Sequence, residues 1–331
     1  MRGKAVVFTD RMKVSVQEVD IPEPRRDEVV IDVEVSWISN GTESSFLRGE
    51  RIAGDTPFHS GAPWPFPIVA GYQKVGVIRQ KGAEVAGLEV GDRVFATVSK
   101  VTGMFDRRGG HISPAVTAAN QVWKLPEGAN AVDYCGLVLT QVGYNCGSRP
   151  QVRAGDRAVV LGDGLVGHWT AQTLLKRGAQ VLMLGRHDDR LRYLPQNATG
   201  VNTRLVAATE AVNDFSGGAG GVAILVDTVG DLQAVDALFP QLAHDAHFVS
   251  AGFYGSSGTI DIQRLRAKEI TLHTPAGWNK PRMDATLAGI RDGFLQTGPL
   301  VTHRFPVDQA EEAWRVILDK TVPCLGVVLE W

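Results

Sequence analysis

The sequence predicts two domains of different class: a β-rich domain first, then an α/β domain built on a doubly wound parallel sheet. Three observations carry this. Residues 31–37 alternate apolar and polar, strands alternate with helices from about Gln151, and a Gly-x-Gly-x-x-Gly turn joins one such strand to the helix after it. With 331 residues the chain is long enough to bury two substantial cores.

The elements follow in order. Met1–Phe8 reads as a first strand. Ile31, Val33, Val35 and Trp37 alternate with Asp32, Glu34 and Ser36, giving a strand with one apolar face. Short β-rich runs follow at 74–80, 93–98 and 121–125, punctuated by Gly and Pro. The stretch Gly54–Pro67 holds four prolines and two glycines and is expected as a surface loop. In the second half, strands are expected at 157–161, 180–184, 222–226 and 247–250, with helices near 166–176 and 234–242. Amphipathic helices near 283–296 and 308–318 precede a last strand at 326–329.

Composition excludes several function classes. The formal net charge is −2, with 44% hydrophobic and 21% charged residues, which gives no reason to expect nucleic acid or an anionic membrane as partner. No apolar run reaches the roughly 20 residues of a membrane span. Three widely spaced cysteines, Cys135, Cys146 and Cys324, suit free thiols in a reducing cytoplasm rather than a disulfide framework.

Leu161-Gly162-Asp163-Gly164-Leu165-Val166-Gly167 follows an apolar strand and opens a helix, the context in which such a turn binds a dinucleotide. Gly162 makes the tight turn, Gly164 lets backbone approach a pyrophosphate, and Gly167 lets helix and strand pack closely. Leu165 and Val166 lie in the helix start, whose free N–H groups favour the phosphates. The next strand ends in Gly185-Arg186, where an NAD-binding chain would carry a carboxylate for the ribose. A glycine leaves room for a 2′-phosphate and an arginine can grip it, with Arg190 adding charge, so NADP is expected over NAD. Thr228, Val229, Ala251, Gly252 and Phe253 end parallel strands at the same edge and are expected beside the cofactor.

Gly91-Asp92-Arg93-Val94, Gly109-Gly110-His111, Ala154–Val160, Val226–Gly230 and Val301–Pro306 occur in the order seen in the medium-chain dehydrogenase/reductase (MDR) superfamily, which the chain resembles over its whole length. The resemblance implies a GroES-like β-barrel catalytic domain at 1–140, completed by 275–331, and a Rossmann domain at 141–274, with the active site in the cleft. It also implies a homodimer. Alcohol dehydrogenases of this superfamily bind zinc through an early Cys, a Gly-His-Glu motif and a later Cys or acid. Here a serine of Ile38-Ser39-Asn40-Gly41-Thr42-Glu43 stands where the thiolate would be, and the later motif reads Gly71-Tyr72-Gln73. Hydroxyls are poor zinc ligands, Cys135 alone cannot hold the ion, and the four cysteines of the structural zinc lobe are missing. The motif resembles a zinc-free branch that includes bacteriochlorophyllide dehydrogenase-like proteins.

Without a Lewis acid, hydrogen-bond donors must stabilise the oxygen beside the carbon that takes or gives hydride. Ser39, Asn40, Thr42 and Tyr72 are the candidates, with Tyr72 as proton donor and Glu43 orienting the relay or binding substrate. Lys74, two residues on, is placed to lower the tyrosine pKa. The eight histidines show no metal-ligand spacing and default to surface or supporting roles. Arg51, His59, Trp64, Met104, Phe105, Arg107, Arg108, Trp278, Asn279 and Lys280 are expected around a substrate mouth. The reading is a zinc-independent, NADP(H)-linked alcohol/carbonyl oxidoreductase. Reduction of a conjugated carbon–carbon double bond and NADPH binding without turnover stay open beside it.

Overall fold

The computed structural model describes residues 1–54, 56–218, 220–254 and 258–331. The chain divides into two compact units, Met1–Val138 with Thr297–Trp331, and Leu139–Gln296. The expected division returned the chain to the first domain at residue 275. The observed return is at Thr297, because Gln296 is tied into the second unit: its carbonyl accepts from Trp169 Nε1 at 3.1 Å and its amide donates to Gln172 Oε1 at 2.9 Å.

The first unit is mostly antiparallel β structure. It runs β1 (Arg2–Asp10), β2 (Lys13–Asp20), β3 (Glu28–Ile38), α1 (Asn40–Leu47), β4 (Arg51–Ala53), β5 (Thr56–Pro57) and β6 (Ile68–Val69). Then come β7 (Lys74–Lys81), β8 (Arg93–Ala96), β9 (Ser99–Lys100), β10 (Arg108–Gly109), β11 (Ile112–Ser113), β12 (Ala115–Ala118), β13 (Val122–Lys124) and α2 (Ala131–Tyr134). The stretch 54–67 is loop apart from β5, which pairs with β4; residue 55 lies outside the described residues. The alternation seen in β3 holds for Asp32, which is exposed, but Ser36 is fully buried. Ser36 instead faces buried His111, its Oγ 2.8 Å from Nδ1.

The second unit runs α3 (Leu137–Ser148, which starts just before the boundary), β14 (Arg157–Leu161), α4 (Leu165–Lys176), β15 (Gln180–Gly185), α5 (Asp188–Leu191), β16 (Ala198–Asn202), α6 (Ala208–Ser216) and β17 (Val222–Asp227). It continues through α7 (Leu232–Leu238), β18 (Leu242–Ser250), α8 (Ile262–Arg266), β19 (Thr271–His273) and α9 (Lys280–Arg291). Six parallel strands stand in the order β16-β15-β14-β17-β18-β19, the doubly wound arrangement expected from the strand–helix alternation. The order reverses between β14 and β17, so a crevice forms where the glycine turn leaves β14. Buried Val, Leu and Ile on both faces of this sheet pack against the helices, each contributing about 1.5–3 kcal/mol. The helix expected at 234–242 stops at Leu238, because Pro240 cannot continue it and β18 begins at Leu242. The helix expected at 283–296 runs instead from Lys280, capped by the Asn279 side chain, to Arg291.

The chain then re-enters the first unit as β20 (Val301–Pro306), α10 (Ala310–Asp319) and β21 (Gly326–Glu330). A seven-stranded sheet has the order β13-β8-β7-β3-β21-β20, with β12 also on β3. A second sheet joins β11, β1 and β2, with β6 on β1. Phe8, Ile38, Leu47, Trp314, Ile317, Val327 and Leu329 share one buried cluster, so residues from both chain ends build one core.

Candidate functional site

Each unit carries one candidate site. In the second unit, the three glycines of the turn have three measurable reasons to be glycine. Gly162 sits at φ +111°, and a Cβ there would lie 2.4 Å from Thr228 Oγ1. A Cβ on Gly167 would lie 2.1 Å from the Gly162 carbonyl oxygen, so helix and strand could not pack as they do. Gly164 differs: its φ is an ordinary −85°, and a Cβ would enter open space. It is the N-cap of α4, and no side chain caps that end. The first-turn amides, with Leu165 buried and Val166 half-buried behind them, therefore face a space that only a missing side chain keeps clear. That cradle fits a diphosphate.

Asp163, between the first two glycines, is almost fully buried and reaches to the end of β15. Its Oδ2 accepts from Arg186 N at 2.7 Å, His187 N at 2.9 Å and His187 Nδ1 at 2.9 Å, and Oδ1 faces Arg190 Nη1 at 3.4 Å. Burial pushes its carboxyl up, but these donors outweigh it and hold the group below the usual range. The room expected at Gly185 is taken by this residue, since a Cβ on Gly185 would lie 2.6 Å from Asp163 Cβ. Gly185 is thus glycine to admit Asp163. Arg186 is largely exposed, with Nη2 at 3.8 Å from Asp231 Oδ2.

At the ends of β17 and β18, buried Asp227 organises the backbone. Its Oδ1 accepts from Val229 N at 2.8 Å, and its carbonyl accepts from Ala251 N and Gly252 N, each at 2.9 Å. Those two amides are therefore spent within the fold. Thr228 Oγ1 donates to Leu161 O at 2.7 Å, while Val229 and Phe253 expose their side chains. Tyr254, which sequence reasoning missed, donates its hydroxyl to Asp227 Oδ2 at 2.6 Å.

In the first unit, Ser39, Thr42, Glu43 and Tyr72 come together. Ser39 is the N-cap of α1, yet its side chain makes no cap bond. The Glu43 carboxylate serves that end instead, Oε1 accepting from Ser39 N at 2.7 Å. The Ser39 and Thr42 side chains instead hydrogen-bond the Tyr72 phenol. Burial pushes that phenol well above the ordinary tyrosine range, the two hydroxyls pull it down, and the Glu43 charge pushes it up again. Asn40 is diverted: its Nδ2 donates to the Leu325 carbonyl at 2.7 Å, which locks α1 to the segment before β21. Lys74 does not act on Tyr72; its ammonium donates to the Thr97 carbonyl at 2.6 Å, and burial pushes its pKa down to about 7.

His111 is the residue sequence reasoning missed. It is fully buried, with Nε2 at 2.9 Å from Glu43 Oε2 and Nδ1 at 2.8 Å from Ser36 Oγ. Ser36 Oγ in turn accepts from Trp331 Nε1 at 2.9 Å. Gly71, at φ +81°, must be glycine here because a Cβ would strike the His111 ring at 2.5 Å. The Gly-Gly-His turn was visible in the sequence, but nothing local announced a partner 68 residues away.

The residues expected at a substrate mouth lie on loops or element ends. Arg51 is buried and donates to the Gly54 carbonyl at 3.2 Å, whereas His59, Phe105, Arg107 and Arg108 are exposed and Met104 is half-buried. Trp64 donates to Asp10 Oδ1 at 3.1 Å, Asn279 caps α9, Trp278 is half-buried beside it, and Lys280 pairs with Asp284 at 3.0 Å. Cys135 is buried and donates to the Val132 carbonyl at 3.3 Å. Among the described residues, three potential metal ligands converge only at His244, Asp245 and Glu269, all exposed and none of them a candidate. No helix among the described residues is long and apolar enough to cross a membrane.

Residues 25–127 match the alcohol dehydrogenase GroES-like domain. The whole chain aligns with 2-desacetyl-2-hydroxyethyl bacteriochlorophyllide A dehydrogenase of Cereibacter sphaeroides at 27% identity, covering 99% of that protein. A D-xylulose reductase of Morganella morganii is 24% identical over 94% of this chain and 96% of its own length. Among solved structures, an alcohol dehydrogenase from Escherichia coli CFT073 with NADH bound superposes at a TM-score of 0.85 with 21% identity, covering 100% of this chain and 99% of its own. A protein from Sinorhizobium meliloti 1021 described as a zinc-binding dehydrogenase, bound to NADP, superposes at 0.82 with 18% identity, both chains covered fully.

Proposed function

The chain belongs to the medium-chain dehydrogenase/reductase superfamily, and on that premise we propose that it is a zinc-independent, NADP(H)-dependent oxidoreductase acting between an alcohol and its carbonyl. The observation that carries the reading is the hydroxyl cluster of Tyr72, Ser39 and Thr42 over a buried Glu43. Relatives named alcohol dehydrogenase, sorbitol dehydrogenase, D-xylulose reductase and bacteriochlorophyllide A dehydrogenase support the reaction class.

A zinc ion does not fit the donor set. Tyr72 and Ser39 are neutral hydroxyls already bonded to each other, and the Gln73 amide donates to the Trp37 carbonyl at 3.4 Å. No step therefore runs through a metal. When bound, the nicotinamide supplies or receives the hydride. The α4 end, kept open by Gly164, holds the diphosphate. NADP is favoured because the end of β15 offers exposed Arg186 and half-buried Arg190, while the Asp163 carboxylate beside them is saturated by amides, His187 and Arg190. Val229 and Phe253 present apolar surface toward the cofactor at the ends of β17 and β18.

In the reducing direction Tyr72 gives its proton to the developing alkoxide, and Ser39 and Thr42 stabilise the phenolate left behind. Glu43 keeps the α1 end, and so Ser39, in place. Asn40 fixes α1 rather than touching substrate.

The test is a panel of alcohols, aldehydes and enones assayed after exhaustive dialysis against a chelator. NADPH-linked carbonyl reduction or alcohol oxidation that survives dialysis supports the reading. A saturated ketone from a model enone would move it to carbon–carbon reduction. Tight NADPH binding with no turnover on any member would make the chain a binding protein.

A further inference from the structure

Ser39 and Tyr72 lie past the last rung that joins their strands. β3 and β7 pair antiparallel, and their ladder ends at Ser36 opposite Lys74, short of both residues. The phenol and the two hydroxyls that bond it are thus beyond the reach of that ladder.

His111 occupies this open end. Its backbone belongs to the Tyr72 side: Gly110 N and His111 N donate to the Ala70 carbonyl at 3.0 and 2.8 Å. Gly109 and Gly110 let the two segments touch, since a Cβ would lie 2.4 Å from Val69 Cβ in the first case and 2.1 Å from Tyr72 N in the second. The ring belongs to the other side. Its Nδ1 meets Ser36 Oγ at the last rung, and its Nε2 meets Glu43 in the first turn of α1.

Glu43 shows what the ring supplies. Its Oε1 accepts from Ser39 N and its charge acts on the Tyr72 phenol, so it is a carboxylate and only accepts. The imidazole must then carry a proton on Nε2 and donate it. Because Glu43 takes over the start of α1, the Ser39 hydroxyl is released from capping and bonds the phenol instead. One imidazole therefore ties the backbone before Tyr72 to the helix start that carries Ser39 and Thr42.

We propose that His111 is the positioning residue of this cluster, holding Ser39 and Thr42 in register with the Tyr72 phenol through Glu43. The inference rests on the reading of Tyr72 as proton donor. His111 is fully buried, so it acts through these neighbours and not on the substrate. Its effect is on rate, since a misplacement of about 1 Å in such a cluster costs about 100-fold.

Two substitutions separate positioning from packing. Gln carries its amide near where Nε2 stands and Asn near where Nδ1 stands, and both give up the edge-on ring contact with Trp314. His111→Gln therefore keeps a donor for Glu43, whereas His111→Asn keeps only the Ser36 contact. On the carbonyl that the panel selects, with NADPH saturating, His111→Asn should lower kcat about 10- to 100-fold with KM within about twofold. His111→Gln should retain at least about a third of the wild-type kcat. Melting temperatures are measured on both. If Tyr72→Phe, assayed alongside, turns over like the wild type, the proton-donor reading fails and this inference with it. If Tyr72→Phe is slow but both His111 variants keep the wild-type kcat, or both fall in step with their melting temperatures, His111 only packs and the proposal is overturned. Should His111→Asn not fold, the wild type decides. Nitrogen NMR of its histidine rings, with His111 identified by its contact with the Trp314 ring, should show a proton on Nε2. A ring protonated on Nδ1 alone gives Glu43 no donor and overturns the proposal.

Discussion

Glu43 Oε2 lies 2.9 Å from His111 Nε2, and neither side chain is more than 2% exposed. The direction of the network can be worked out from its far end. Trp331 Nε1 only donates, so Ser36 Oγ accepts from it and its own proton is free for His111 Nδ1. That leaves the His111 proton on Nε2, pointed at the Glu43 carboxylate. Removing the carboxylate leaves two buried N–H donors without their acceptor, at a cost of about 1–3 kcal/mol for each. Glu43→Leu should lose stability of that order in urea denaturation. Glu43→Gln keeps one acceptor oxygen but sets an N–H against either the Ser39 amide or His111 Nε2–H, so it should also lose stability, though less than Glu43→Leu.

Tyr72→Phe should lower turnover by about 10²–10⁴-fold on whichever carbonyl the panel selects, with NADPH affinity unchanged. The phenol is held above the ordinary tyrosine range by burial and by Glu43, so it stays protonated through neutral pH. The alkaline fall of the wild-type reduction rate should therefore come later than the ordinary tyrosine pKa of about 10. A profile that breaks near neutrality would assign the proton to another group.

Two glycines in one turn should respond in opposite ways to alanine. Gly164→Ala puts its methyl into open space at an ordinary φ, so thermal stability should hold within about 1 kcal/mol. NADPH affinity should fall at least about tenfold, because the methyl takes the approach space of the diphosphate. Gly167→Ala would drive its methyl against the Gly162 carbonyl and should unfold or destabilise the second unit outright. Equal binding by wild type and Gly164→Ala would remove the anion site.

Lys74 makes stability depend on pH in a defined direction. Burial lowers its pKa to about 7 in the fold, while the unfolded chain keeps the ordinary value of about 10.4. Between these values the unfolded chain binds the extra proton, so stability rises with pH across that window, by an amount on the order of a few kcal/mol. Lys74→Met should abolish that rise. Chemical denaturation at pH 7 and pH 9.5, on both proteins, measures it.

The order of elements was legible because apolar periodicity is local. β14, α4, β15 and β17 fall within a residue or so of their expected bounds. The strand β16 and helix α6 were not foreseen, since Ala198–Asn202 is polar and small and Ala208–Ser216 carries only a short apolar face. The glycine turn was legible residue by residue. Asp163 was not, because it stands at a variable position of the turn and its partners lie 23 to 27 residues on. Among the expected hydroxyls and acids, Ser39, Thr42, Glu43 and Tyr72 converge, while Asn40 and Lys74 are engaged elsewhere. His111 and Ser36 escaped for one reason. A serine on the polar side of an alternating strand looks solvated until the fold sets an imidazole against it.

β21 lies between β3 and β20, although it is contributed by residues nearly 290 positions after β3. On that flank of β3, β12 covers residues 28–31, but residues 35–38 stay bare until residues 326–330 emerge from the ribosome, by which time the whole of the second unit has been made. Synthesis order thus separates the two units in time: the second unit can mature first, and the hydroxyl cluster acquires its Ser36–Trp331 brace only after that unit has been made. A released chain truncated after residue 320 should already protect 139–296 from protease while 35–38 remains cleavable; protection of both would show that the barrel closes without its late strand.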